Sequence, residues 1–338
     1  MSDPILSFMV PVLLSKIKSE SADIRFLSLK IFTDIIIQYL HDDSIYDTKA
    51  IADQQDSFNI KGSTKQINDL ILKNLFPSFG LTLADNDPVP LFGLKVLSAI
   101  IERNPVFVPL LKQYNLFIQI SDYYNVNHPR LNRHTIKIMK SMIESKELAF
   151  SEYGQFKIIE RTTLIIKTML KNKQDWCIEF LLDIIHEILS QFNEVVKVRE
   201  QEISKYIDDI FNNFDVCVQL LSLDFGITIV EKSSQCLIQM LQLYALCQQK
   251  KREIYFVENH IQFLINALKT DKKIIQKRVL KCIYWALIQS EYSIKLPSEK
   301  RRVLEELIST LLQSEDRSIG STSREIFKIL QEQNQVNQ

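Results

Sequence analysis

Apolar and polar positions along this chain fall into a unit that keeps returning, apolar–x–apolar–apolar–x–x–apolar–apolar. It reads Leu29-x-Ile31-Phe32-x-x-Ile35-Ile36, then Leu94-x-Val96-Leu97-x-x-Ile100-Ile101 and Ile136-x-Ile138-Met139-x-x-Met142-Ile143. It continues as Leu182-x-Ile184-Ile185-x-x-Ile188-Leu189, Ile238-x-Met240-Leu241-x-x-Tyr244-Ala245 and Leu280-x-Cys282-Ile283-x-x-Ala286-Leu287, with a partial copy at Phe327-x-Ile329-Leu330. The first residues of successive copies lie 65, 42, 46, 56, 42 and 47 positions apart. One copy predicts only an amphipathic helix. The series predicts stacked helical hairpins, because a single hairpin cannot bury its apolar side and a stacked neighbour can.

Each copy reads as the second helix of a hairpin. The apolar first helices are expected over 5–18, 67–83, 106–124, 148–170, 196–223, 254–269 and 302–312. Ser19-Glu20-Ser21, Asp85-Asn86-Asp87-Pro88, Asn127-His128-Pro129, Thr270-Asp271 and Ser314-Glu315-Asp316 supply turn and cap residues between paired helices. Pro88 and Pro129 are placed at helix starts, where a missing N–H costs little. Two intervals are long. Residues 41–65 are polar, contain Gly62 and lack a helical period, which predicts a loop inserted between the first two hairpins. The charged stretch 193–215 predicts an enlarged repeat connection, and 331–338 a polar tail. The fold class is therefore all-α, a right-handed α-solenoid of about seven HEAT/armadillo-like hairpins forming a single domain over 1–330. Tetratricopeptide repeats, at about 34 residues with their own aromatic signature, do not fit.

Composition supports helices. The 338 residues include only six glycines and nine prolines, far fewer tight-turn residues than an α/β enzyme needs. Lys plus Arg and Asp plus Glu are both 41, so the charge does not favour general nucleic-acid binding. Five cysteines, at 177, 217, 236, 247 and 282, all fall in apolar helical segments, the pattern of buried reduced thiols in an intracellular protein. The Met1-Ser2-Asp3-Pro4 start lacks the basic region of a secretory leader, and no run of about 18 apolar residues predicts a membrane span.

Candidate chemistry is sparse. His41, His128, His134, His186 and His260 form no ligand pair at helical spacing, so no metal site is expected. Cys177 and His186 share a helix nine residues apart, too far to touch along it. Phosphate-cradling glycine motifs and kinase catalytic motifs are missing, and no cofactor is expected. Trp176 and Trp285 read as core anchors. Two basic clusters stand out, Lys250-Lys251-Arg252 and a stripe of Lys272, Lys273, Lys277, Arg278 and Lys281. Lys273, Lys277 and Lys281 lie at i, i+4 and i+8 and share a helix face, suited to the acidic tails of tubulin, another acidic partner or a phosphate-bearing lipid; the competing reading is a solvated face. Lys30, Lys95, Lys137 and Lys281 recur one residue after the first apolar position of their copies, which fits one edge of the stacked second helices and equally fits repeat solvation.

The segment Asp87-Pro88-Val89-Pro90-Leu91-Phe92-Gly93-Leu94-Lys95-Val96-Leu97, followed by Asn104-Pro105-Val106-Phe107, is more specific than the period. With Asp23-Ile24-Arg25-Phe26-Leu27-Ser28-Leu29 it resembles the C-terminal armadillo/HEAT region of the RUNKEL/Fused-type kinases, especially the fourth Unc-like kinase, often a pseudokinase. The likeness covers about the first 150 residues and is architectural beyond them. The kinase domain of that family is absent from this chain. The resemblance implies a non-catalytic scaffold in cilia and on microtubules, with axonemal or tubulin-associated partners and a cytoskeletal location. It carries over no catalytic residue. The alternative reading is a soluble cytoplasmic adaptor for cargo transport or kinase regulation.

Overall fold

The computed structural model describes residues 3–41, 69, 71–222, 225–247, 255–288 and 298–336. All secondary structure among them is helical. The expected inserted loop (beyond His41) and the cluster Lys250-Lys251-Arg252 lie outside the described residues. Contacts group the chain into two compact units, Met1–Leu148 and Ala149–Gln338.

The first unit holds three hairpins. Helix α1 (Asp3–Lys16) pairs with α2 (Ala22–His41), and α3 (Phe76–Ala84) with α4 (Val89–Arg103). Helices α5 (Leu110–Gln113) and α6 (Leu116–Tyr123) precede α7 (Arg133–Glu144). The second helices stack, α2 on α4 and α4 on α7. Their repeated apolar positions make the core: Leu29, Phe32, Leu94, Leu97, Ile136 and Met139 are all buried. Gly93 lets α4 approach α3 closely, since a Cβ there would sit 2.9 Å from the Thr82 methyl carbon.

The second unit holds four. Helices α8 (Phe150–Gln155) and α9 (Ile158–Lys171) precede α10 (Ile178–Ile203), and α11 (Ile207–Phe211) and α12 (Phe214–Ser222) precede α13 (Ile227–Leu246). Then α14 (Tyr255–Leu268) pairs with α15 (Lys273–Ile288), and α16 (Ser298–Leu311) with α17 (Arg317–Val336). Second helices stack again, α10 on α13, α13 on α15 and α15 on α17. The fold is an all-α repeat solenoid, as the period predicts.

Several first helices differ from expectation by being broken. The helix expected over 106–124 is interrupted at Asn115 and that over 148–170 at Lys157, both left-handed, with φ of 57° and 50°. Each ends one short helix and starts another, as a left-handed residue does after a helix C-terminus. The helix expected from 67 opens, within the described residues, as a wider π-turn over Ile71–Leu75. The stretch 196–203 continues α10 across a kink at Arg199 (φ −123°, ψ 36°), and the added length of 193–215 goes into that kinked extension and the short α11. Helix α17 runs on to Val336 through most of the polar tail. Pro88 does stand at a helix start, but Pro129 lies ahead of α7, whose cap is Asn132: its side chain accepts from the His134 and Thr135 amides at 2.8 and 3.0 Å.

Two helix ends use lysine where glycine is usual. Lys146 and Lys173 have φ of 56° and 54°. Lys146 N–H donates to the Ile143 carbonyl and Glu147 N–H to that of Met142; Lys173 and Gln174 repeat the pair onto Leu170 and Met169. These bonds satisfy the last carbonyls of α7 and α9.

Candidate partner-binding surface

The stacked second helices bring charged residues of successive hairpins alongside one another. In the first unit Lys95 of α4 reaches Asp34 of α2 at 3.9 Å, and Lys137 of α7 reaches Glu102 of α4 at 2.8 Å. In the second unit Lys232 of α13 lies 2.5 Å from Asp183 and 3.0 Å from Glu179 of α10. Burial works against the Lys232 charge, yet the two carboxylates outweigh it and hold the ammonium above the usual lysine value.

The basic stripe is divided by these contacts. Lys277 pairs with Asp316 at 2.7 Å, ahead of α17, while Arg278 turns the other way to Glu231 of α13 at 3.0 Å. The Lys277 bond, assisted by the Ile319 and Ser318 amides, holds the Asp316 carboxyl below its ordinary value. Lys273 and Lys281 are exposed on α15. Lys272, also exposed, lines a cleft of about 440 Å³ with Gly226, Val230, Asn266 and Thr270. Three of the five stripe residues thus face solvent, and two tie α15 to its neighbours. The recurring lysine edge is placed at Lys95 and Lys137, where each lysine meets the preceding second helix.

Polar contacts also cross between second helices. Ser98 Oγ and His134 Nδ1 are 2.8 Å apart, and Gln239 Nε2 and His186 Nε2 are 3.2 Å apart. Burial first, then the Lys137 charge, holds His134 below the usual histidine value. Asn193 donates to the Gln239 carbonyl at 3.1 Å, while Asn193 Oδ1 and Gln239 Oε1 stay without a partner, at a cost on the order of 1–3 kcal/mol each.

Sequence reasoning missed a network at the turns. Arg25 grips Asp85 through two bonds of 2.6 and 2.8 Å and also donates to the Ser19 and Glu20 carbonyls. Arg130 donates to the Leu83 and Asp85 carbonyls at 2.6 and 2.5 Å and to the Tyr123 hydroxyl at 2.8 Å. Three successive hairpins are joined at their turns. The turn residues of 19–21, 85–88 and 127–129 are signalled in the sequence, but nothing there links Arg25 or Arg130 to the 85–88 turn.

The remaining candidates lie in the core or apart. Trp176 is 42% exposed just ahead of α10 and is not the core anchor expected of it; Trp285 is half-buried and edge-on to Tyr284. Cys177, Cys217, Cys236, Cys247 and Cys282 are buried thiols. Burial pushes the Cys282 thiol up to about 12 and Cys247 to about 11, which keeps both protonated and poorly nucleophilic. Among the described residues no three His, Cys, Asp or Glu side chains gather to hold a metal ion, and no helix is long and apolar enough to cross a membrane.

Comparison with known proteins agrees with this architecture. Residues 1–109 match the family described as serine/threonine-protein kinase ULK4-like, HEAT repeats. The chain is 21% identical over 301 residues to the serine/threonine-protein kinase RUNKEL of Arabidopsis thaliana, covering 80% of this chain and 21% of that protein. It is 28% identical over 115 residues to the serine/threonine-protein kinase ULK4 of Mus musculus, covering 33% of this chain and 8% of that one. The chain thus spans a minor part of either relative. Among solved structures, an engineered protein aligns over 97% of this chain and 90% of its own at a TM-score of 0.52 with 10% identity. A designed armadillo repeat protein aligns over 75% and 99% at 0.51 with 11% identity. The structures speak for the fold, and the sequence relatives show similarity to the HEAT/armadillo region of such kinases.

Proposed function

From that similarity to the HEAT/armadillo region of ULK4-like kinases, we propose that this chain is a non-catalytic scaffold that holds protein partners, working as a structural or assembly component of the ciliary axoneme or another microtubule-associated complex. The observation that carries the scaffold reading is the stacking of second helices, which lines up side chains from successive hairpins where one extended partner can meet several of them. A repeat fold is consistent with that role. The axonemal and tubulin part is supported by the kinase-family resemblance and by exposed Lys272, Lys273 and Lys281 near one another on the second unit. Acidic tails would meet these lysines through contacts that weaken as salt rises.

Cosedimentation with microtubules tests this. Wild-type chain should pellet at low ionic strength, and Lys273→Glu with Lys281→Glu should weaken binding by about tenfold, an effect that fades at high salt. Unchanged pelleting of the variant would remove the stripe from the reading. One observation favours a soluble adaptor for cargo transport or kinase regulation: Lys277 and Arg278 are already engaged by Asp316 and Glu231, which reduces the charge offered to an acidic filament. Retention on salt-washed axonemes separates the two, since a structural component stays and an adaptor is released.

A further inference from the structure

The first hairpin buries one side of α2 and leaves a second apolar side uncovered. Leu29, Phe32 and Ile36 are buried in the core, and the Phe26 ring meets Phe92 of α4 edge-on at 5.3 Å. Ile24, Leu27 and Ile31 recur at i, i+3 and i+7, forming one row turned away from α4. They are 42%, 53% and 44% exposed. On α1, Phe8, Met9 and Val12 are exposed as well. A repeat side that meets solvent needs a polar outer face to stay soluble. The last hairpin has one, for every exposed residue described on α16 and α17 is polar or charged. The first hairpin presents the kind of surface that an interaction site presents.

Charge indicates the occupant. Asp23 and Lys30, both exposed, flank the apolar row on the same edge. When two α2 helices are laid antiparallel and cross at Leu27, Asp23 stands four residues before the crossing and Lys30 three after it. Asp23 of one copy then comes beside Lys30 of the other, and the two-fold axis makes that pair twice. Ile24 meets Ile31 in the same register. A parallel arrangement would put the two charged edges on opposite sides of the contact and lose both pairs. The face is therefore self-complementary in charge and in apolar spacing, as a two-fold contact requires.

We propose that the outer face of the first hairpin is a homodimer contact, in which two copies of this chain pair through antiparallel α2 helices, with Met9 and Val12 of α1 widening the contact. The side of α2 opposite its packing on α4 then receives a helix in its turn, so the dimer continues the repeat-on-repeat packing across a symmetry axis.

Sedimentation equilibrium of the full chain, from about 1 to about 100 µM, tests the proposal, with association expected at a Kd on the order of 10 µM. Leu27→Glu should stay monomeric across that range with an unchanged helical circular dichroism spectrum. Asp23→Lys and Lys30→Asp should each weaken the dimer by about tenfold through two lost pairs and two new repulsions. The double reversal D23K/K30D should restore it to within about threefold. A wild-type chain that remains monomeric at about 100 µM overturns the proposal and leaves the face to a different partner. A dimer indifferent to Leu27→Glu, or a double reversal weaker than either single change, overturns it too.

Discussion

The first and last hairpins are built on the same inner plan and finished differently outside. Each packs an apolar row on its neighbour: Leu29, Phe32 and Ile36 in α2, and Ile319, Ile326 and Leu330 in α17. Outside, α2 shows Ile24, Leu27 and Ile31, whereas α17 shows Arg317, Arg324, Lys328 and Glu332. Exposed i,i+4 pairs, Arg302 with Glu306 and Lys328 with Glu332, keep the last hairpin's surface charged at little energetic consequence. The difference teaches that inner rows determine the fold while outer rows determine company, and that two hairpins of one repeat can be selected for different neighbours.

The comparison breaks most readily at the inner rows. Phe32→Asp and Ile326→Asp should each cost roughly 4 kcal/mol or unfold the hairpin, read by urea denaturation, because each places a charge in an apolar interface. Leu27→Asp on the outer row should change stability by less than about 0.5 kcal/mol. If it costs as much as Phe32→Asp, the outer face is not free and the contrast fails.

The turns give the next effect. Arg130→Ala should cost about 2 kcal/mol, since it leaves the Asp85 carbonyl and the Tyr123 hydroxyl short of a donor and leaves the Leu83 carbonyl with only the Tyr123 hydroxyl. Arg324→Ala, whose described bond runs to the Gly320 carbonyl of its own helix, should cost only a few tenths of a kcal/mol. Thermal melts of the two variants would show whether turn-to-turn clamping belongs to the first unit.

Smaller still is the gain from relieving left-handed lysines. Lys146→Gly and Lys173→Gly should each raise stability by up to about 1 kcal/mol, because glycine adopts that backbone without a side-chain clash. The smallest effect concerns pH. The folded His134 lies below its ordinary 6.5, so the unfolded chain takes up a proton first as pH falls through that value. Stability conferred by the neutral ring is therefore lost below 6.5, and His134→Gln should flatten the profile there. The carboxyl of Asp316, held below its ordinary 3.8, confers stability that persists until pH falls beneath that value. A fall in melting temperature below pH 6.5 that His134→Gln abolishes would check the first window; the acid window is shared with Asp85 of the first unit, held down by Arg25.

The seven second helices were legible because their apolar residues repeat within each helix and again between helices, from Leu29 to Phe327. The breaks at Asn115 and Lys157 were not, since a lysine in the left-handed region leaves no mark of the kind glycine would. The extension of α10 was hidden for a related reason: Val196 and Ile203 suit the end of one helix as well as the start of the next. At the candidate surface, the lysines were visible but their partners were not. Lys95 meets Asp34 and Lys277 meets Asp316, and no common spacing links such pairs. The apolar outer row was present in the same motif that revealed the fold, with Ile31 inside it. Only burial separates an Ile31 from a Phe32.

Buried hydroxyls add a last consequence. Thr33, Thr82 and Thr162 each donate to the carbonyl four residues earlier, and Ser78 to that of Leu75, all within or beside their own helices. Hydrogen bonds of this sort do not cross to the neighbouring hairpin, so small tilts between hairpins leave them intact. Ser98 with His134 and Thr163 with Asn213 do cross between helices and act as pins. Between neighbouring hairpins the packing is then mostly hydrocarbon held by a few fixed rivets, a construction in which small tilts leave the hydroxyls bonded within their own helices undisturbed.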